Sequence, residues 1–111
     1  MLPKNYRLNL KSERFSRGEK EFTGPLFKLI VKGRRSEKPK VGFIVSGKVG
    51  KAAQRNRVRR IFSEVAAKKL GRIPRDLALI FIAFPGSSKA KYEDIDSDFD
   101  KALSKLFNAE I

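Results

Sequence analysis

The sequence predicts an α+β fold, a single two-layer domain in which a small sheet packs against helices. Three observations predict it. Residues 26–32 alternate between apolar and polar over most of their length, as a half-buried strand does. Residues 77–84 are apolar throughout, as a central strand covered on both faces should be. Residues 52–70 and 92–107 instead repeat their apolar side chains at helical intervals. A chain of 111 residues is one domain, spanning 1–111, and its 41% apolar content with nine Phe suffices for a modest core.

Residues 1–24 are polar and basic, with Leu8, Leu10, Phe15 and Phe22 as scattered apolar points. They predict an extended start and then a short helix over 11–17, closed by Gly18. Gly24-Pro25 punctuates the chain. In the strand that follows, Phe27, Leu29 and Val31 share one face, and Leu26, Lys28, Ile30 and Lys32 the other. That second face is amphipathic and cationic, which suits a sheet partly open to a charged ligand. Residues 33–39 read as a polar hairpin loop, 41–46 as a second strand and 46–50 as a Gly-containing turn.

The helix at 52–70 has Val58, Ile61, Phe62, Val65 and Ala66 on one stripe, and Gly71 with Pro74 beyond it as stop signals. Residues 73–76 form a turn before the apolar strand, and 85–88 end that strand. The last helix, 92–107, has Ile95, Phe99, Ala102, Leu103 and Leu106 on its apolar stripe. Phe27, Phe43, Phe62, Phe81 and Phe99 are read as core. Phe15 is open between core and a stacking platform.

Charge narrows the function. The net charge is +14. Six acids against two bases leave 92–111 at −4, so residues 1–91 carry +18. From Lys38 to Ser63 there is no Asp or Glu, and six of the 14 residues from Gly47 to Arg60 are basic. Such a surface takes its counter-charge from a partner, and a polyphosphate is the commonest one. With neither Cys nor His, the chain has no disulfide, thiolate or imidazole metal site, Cys nucleophile or His base. No run is long enough to span a membrane, and the N-terminus lacks the apolar segment of a secretory signal, so a cytoplasmic protein without membrane contact is expected.

On a helical wheel centred on Val58, Ile61, Phe62 and Val65 lie within roughly 60° of it. Asn56 and Arg60 point away, with Arg55 and Arg59 on one shoulder and Arg57 on the other. Arginine forks grip phosphate oxygens bidentately and stack on bases. Asn56 offers a donor and an acceptor to a base edge or a 2′-hydroxyl. Lys48 and Lys51 stand in the turn before the helix, where the dipole also favours an anion. No i,i+4 acid partner exists until Glu64, which argues against a self-paired solvated face.

The stretch Ser46-Gly47-Lys48-Val49-Gly50-Lys51-Ala52, followed by Arg55-Asn56-Arg57-Val58-Arg59-Arg60, resembles the signature of the bacterial ribonuclease P protein subunit, an "RNR" helix after a Lys- and Gly-containing turn. Leu2-Pro3-Lys4 with Arg7-Leu8, Phe22-Thr23-Gly24-Pro25, Val41-Gly42-Phe43, Asp76-Leu77-Ala78-Leu79-Ile80, Ala83-Phe84-Pro85 and Tyr92-Glu93-Asp94-Ile95 extend the resemblance in order over nearly the whole chain. It implies a four-stranded mixed sheet packed with three helices and a left-handed βαβ crossover. It implies a protein that assists a catalytic RNA in removing the 5′ leader from precursor tRNA and supplies no catalytic residue of its own. Lys48, Lys51, Arg55, Asn56, Arg57, Arg59 and Arg60 would contact the ribonuclease P RNA. The leader cleft would lie between the RNR helix, the first helix and the sheet, lined by Phe15, Lys28, Ile30 and Lys32, and the resemblance tilts Phe15 toward that role. Magnesium would be held mainly by the RNA, and the protein would act as a monomer in a 1:1 complex with it.

The sequence departs from the family pattern in places. Only Phe15 stands where two Phe are usual, Ile30 replaces a common aromatic, Lys28 a usual apolar residue, Gly47 a Lys and Ser63 an Arg. These changes shift leader binding from base stacking toward phosphate attraction. Three other classes stand beside this reading. A structural or ribosomal RNA-binding protein has similar composition. A DNA-binding helix lacks its preceding helix-turn unit. A protein-only nuclease lacks His. The series Asp94, Asp96, Asp98, Asp100 resembles a calcium loop, but Phe99 and Lys105 stand where the pattern needs Gly and a carboxylate. It reads instead as the acidic start of a helix on a solvated face.

Overall fold

The apolar run at Leu77–Ala83 dictates the arrangement of the sheet. The computed structural model describes Tyr6 and residues 20–33, 40–74 and 77–107. In chain order its elements are β1 (Lys20–Thr23), β2 (Phe27–Gly33), β3 (Lys40–Ile44), α1 (Ala52–Lys68), β4 (Leu77–Ala83) and α2 (Tyr92–Phe107). Three-ten turns stand at Gly47–Val49, Leu70–Arg72 and Pro85–Ser88. The sheet order is β1-β2-β4-β3, with β2 antiparallel to β1 and β4, and β3 parallel to β4. The fold is therefore α+β with a mixed four-stranded sheet. The third expected helix, over 11–17, and Phe15 with it, lie outside the described residues.

β4 is apolar on both faces, so it takes an interior position with a strand on each side. This corrects the hairpin expected at 33–39. β2 and β3 do not pair with each other, because β4 lies between them. α1 connects the parallel pair β3 and β4, as a parallel connection requires.

On one face of the sheet Phe27, Leu29 and Val31 meet Ala83, Phe81 and Leu79 in register, and Val41 and Phe43 follow on β3. α1 and α2 cover this face. Val58, Ile61, Phe62, Val65 and Ala66 of α1 are buried, as are Ile95, Phe99, Ala102 and Leu103 of α2. Phe81 and Phe99 stack at 4.4 Å and 5°, while Phe27 meets Phe62, Phe81 and Phe99 edge-on. Each such ring pair adds about 0.5–1.5 kcal/mol beyond area burial. Phe43 is half-buried and packs on the core, against Phe62 and Phe81, from the sheet's β3 edge.

Hydrophobic patterning misses β1. Lys20-Glu21-Phe22-Thr23 offers a single apolar residue, and main-chain pairing to β2 holds it as an edge strand. α1 also ends before its Gly signal. The α-helix stops at Lys68, and a three-ten turn carries the chain through Gly71 to Arg72. Two side chains of this segment, Lys69 and Arg72, are drawn to acids on α2.

Candidate nucleic-acid interface

The turn that launches α1 is built from residues with separate tasks. Val49 is buried and pins the turn, and its N–H donates to the Ser46 carbonyl at 3.1 Å. Gly50 has φ +153°, a conformation side chains rarely adopt, and the Gln54 side chain occupies the space a Cβ would need. Gln54 in turn accepts the Lys51 N–H through Oε1 at 2.9 Å, which closes the first turn. Lys48 and Lys51 are left exposed. No acid stands in the first turn of α1, so the positive end of the helix dipole is not neutralised from within.

The basic side chains of α1 divide into two groups. Asn56, Arg59 and Arg60 are exposed, as the wheel predicts. Arg59 reaches along one shoulder, donating to Asn56 Oδ1 at 3.3 Å and to the Val45 carbonyl at 3.4 Å. Arg57 lies half-buried on the other shoulder. Its Nη1 donates to the Ser88 carbonyl at 3.4 Å and its Nη2 to the Ala90 carbonyl at 3.0 Å. Arg57 thus ties α1 to the turn at Pro85–Ser88, a structural task that the sequence pattern does not reveal. Arg55 is half-buried with its Nε enclosed and without a partner.

The far end of α1 has its charge answered from within the fold. Lys69 lies 2.8 Å from Asp96 and 2.6 Å from Asp100, Arg72 reaches Asp100 at 2.5 Å, and Lys68 stands 3.5 Å from Asp96. Lys68 also sits over the Tyr92 ring at 4.9 Å. Burial alone pushes the Lys69 ammonium down, but hydrogen bonds to Asp100 and Asp96 outweigh it and hold the pKa above the usual 10.5. The Lys69 hydrogen bond, aided by Arg72 and opposed by burial, holds Asp100 below its usual 3.8. The solvated acidic face expected on α2 is therefore corrected: Asp96 and Asp100 face α1, and Asp98 is buried. Asp94 behaves as a helix-start acid, accepting the Lys91 N–H at 3.1 Å.

The sheet face opposite the helices carries the remaining predicted residues. Lys28, Ile30 and Lys32 are half-buried there, opposite Ile82, Ile80 and Ala78 of β4. Ile44 and Lys40 of β3 complete the rows next to Ile82 and Ala78. Ile30, Ile44 and Ile82 pack around the buried pair Ala78 and Ile80. Lys28 also lies 3.6 Å from Glu21. Lys40 joins Lys28 and Lys32 on this face; the signal was the β4 register, which a single sequence does not print. The face is separate from the RNR helix, which packs on the other side of the sheet.

A cationic helix start on one side of a sheet, and an apolar face studded with lysines on the other, define an RNA-binding α+β domain. The family model described as Ribonuclease P matches residues 2–107. The chain is 29% identical over 110 residues to the ribonuclease P protein component of Acidothermus cellulolyticus, covering 96% of this chain and 92% of that one. It is 32% identical over 87 residues to that of Clostridioides difficile, covering 78% and 76%. The fold matches the ribonuclease P protein from Thermotoga maritima with a TM-score of 0.79 at 21% identity, over 90% of this chain and 96% of that one. The chain belongs to the bacterial ribonuclease P protein family. It is the protein component of a tRNA-processing ribonucleoprotein, and its partner is the ribonuclease P RNA. Among the described residues no helix is long and apolar enough to cross a membrane.

Proposed function

We propose that the two cationic surfaces divide the work between two RNAs. The first half of α1 and its turn, through Lys48, Lys51, Arg55, Asn56, Arg57, Arg59 and Arg60, bind the catalytic RNA. The opposite sheet face, with Lys28, Ile30 and Lys32, receives the single-stranded 5′ leader of precursor tRNA, and Phe15 is assigned to the same leader contact. The observation that carries this reading is the uneven neutralisation of α1. Acids of α2 answer the bases at its end, whereas its first turn holds no acid and no ion pair reaches it among the described residues. The uncompensated end is where RNA phosphates supply the counter-charge.

The polypeptide screens repulsion between two polyanions and raises affinity for precursor over mature tRNA. It holds no nucleophile, acid or base for the cleavage step. Magnesium is assigned to the RNA, where it supplies water activation and leaving-group stabilisation. One protein per RNA, in the cytoplasm, suffices for this division.

Reconstitution with a bacterial ribonuclease P RNA at low magnesium tests the proposal. The protein should restore precursor cleavage that the RNA alone loses at that concentration. A folded protein that gives no rescue would refute the reading. Leader contact is tested separately: Lys28→Ala and Lys32→Ala should weaken precursors with long leaders more than those with short ones. Equal loss for both lengths would remove the sheet face from the leader site.

A further inference from the structure

Asp98 lies about 200° around α2 from Asp96, and so faces away from the ion pairs with α1. It is 8% exposed. Its carboxylate lines an open cleft of about 410 Å³, walled by Pro25 and Leu26 of the β1–β2 connection and by Ala90 after the turn at Pro85–Ser88. No hydrogen bond or ion pair reaches Asp98, in contrast to Asp100, which receives both Lys69 and Arg72. The body of the residue is buried, while its unbonded carboxylate oxygens remain open to the cleft. The nearby Asp94 uses Oδ2 on the Lys91 N–H and stands one helical turn before Asp98 on the same wall.

The rim has the opposite sign. Lys89 and Lys101 line the cleft and are exposed, and neither forms an ion pair with Asp98. The site therefore has an anionic floor, apolar walls and a cationic lip. Its volume falls within the range of small-molecule pockets, roughly 300–1,000 Å³, and exceeds what a bare ion fills.

We propose that this cleft binds a small zwitterion, with a primary ammonium directed inward to Asp98 and an anionic group outward between Lys89 and Lys101. An ammonium has three donors and matches an acceptor-only floor. A short methylene stem fits along Leu26 and Pro25. A hydrated divalent cation would find acceptors on Asp94, Ser97 and Asp98, but the apolar walls and the two lysines of the rim favour an organic ammonium that carries its own anionic group. The cleft shares no lining residue with the two RNA surfaces assigned above, although Arg57 bonds the Ala90 carbonyl at its wall, and the proposal does not depend on those surfaces.

The test is an amide NMR titration of the full chain at fixed ionic strength, using 4-aminobutanoate, butylammonium, butanoate and magnesium chloride as probes. The expected result is a saturable shift at Ala90, Ser97, Asp98 and Lys101 with 4-aminobutanoate, weaker binding of butylammonium, and none of butanoate. Asp98→Asn should weaken 4-aminobutanoate at least tenfold, and Lys101→Gln about threefold. Asp98→Asn should melt close to the parent without ligand, because no side-chain partner in the fold is lost, so its loss of binding is not a loss of folding. Absence of a saturable shift, equal affinity in Asp98→Asn, or equal shifts with magnesium would overturn the proposal. Butylammonium binding as tightly as 4-aminobutanoate would also overturn it.

Discussion

The two ends of α1 carry the same kind of charge and meet opposite fates. At the end of the helix and just past it, Lys68, Lys69 and Arg72 find Asp96 and Asp100 within ion-pair distance. At its beginning, Lys48, Lys51 and Arg60 are exposed, and no acid lies in the first turn. Among the described residues the fold thus sets acids against the distal end and none within the first turn of the proximal end, the end proposed to meet RNA. Basic composition alone does not mark an RNA surface; basic residues that the fold declines to neutralise do.

The largest expected effect comes from removing the proximal charge. Replacing Lys51, Arg55 and Arg60 together by Gln should weaken ribonuclease P RNA binding by about 100-fold, near 1 kcal/mol per lost phosphate contact. A filter-binding titration at constant salt measures it. Arg57 is left intact in this variant because its carbonyl contacts hold the turn at Pro85–Ser88.

Gly50→Ala comes next. The positive φ and the clash with Gln54 should cost about 1–3 kcal/mol, read as a shift in the urea midpoint. RNA affinity should fall with it, since the same turn presents Lys48 and Lys51. Unchanged affinity in the folded fraction would separate the turn from the interface.

The distal end sharpens the comparison from the other side. Lys69→Met should destabilise the fold by about 1–2 kcal/mol, since it leaves Asp96 and Asp100 with fewer donors. RNA affinity of the folded molecules should stay within about twofold, the limit expected for a charge outside the interface. A loss comparable to the proximal triple variant would break the distinction between the two ends.

The smallest effect is the pH dependence of that cluster. Asp100 is held below 3.8, so its stabilising contribution is full above that value and fades as pH falls through its folded pKa. Lys69 is held above 10.5, so its contribution is full below that value and fades as pH rises through its folded pKa. Asp100 is about half exposed, so solvent screening limits its contribution to less than about 1 kcal/mol. Urea melts of Asp100→Asn should differ from the parent at pH 6, and the gap should narrow as the pH is lowered below 3.8.

Much of this architecture is legible in the residues, and the illegible parts share a cause. The α1 stripe from Val58 to Ala66, the α2 stripe and the double-sided burial of β4 follow from periodicity, because each element's pattern matches its own period. β1 carries one apolar residue in four and owes its place to backbone pairing, which leaves no periodic trace. The position of β4 between β2 and β3 is a long-range choice, which turned an expected hairpin loop into a crossing connection. The site shows the same division. The exposed bases of α1 could be read from the wheel. The carbonyl contacts of Arg57, the pairing of Asp96 and Asp100 and the solitude of Asp98 depend on which helix lies beside which.

The central claim is that the proximal end of α1 meets RNA phosphates and the distal end does not. Its most direct test is the slope of log Kd for ribonuclease P RNA against log salt concentration, for the parent, the proximal triple variant and Lys69→Met. Each lost phosphate contact should flatten the slope by about 0.7–0.9, so the proximal variant should be shallower by about 2–3 and Lys69→Met unchanged. Parallel lines for the parent and the proximal variant, or equal flattening in both variants, would contradict it.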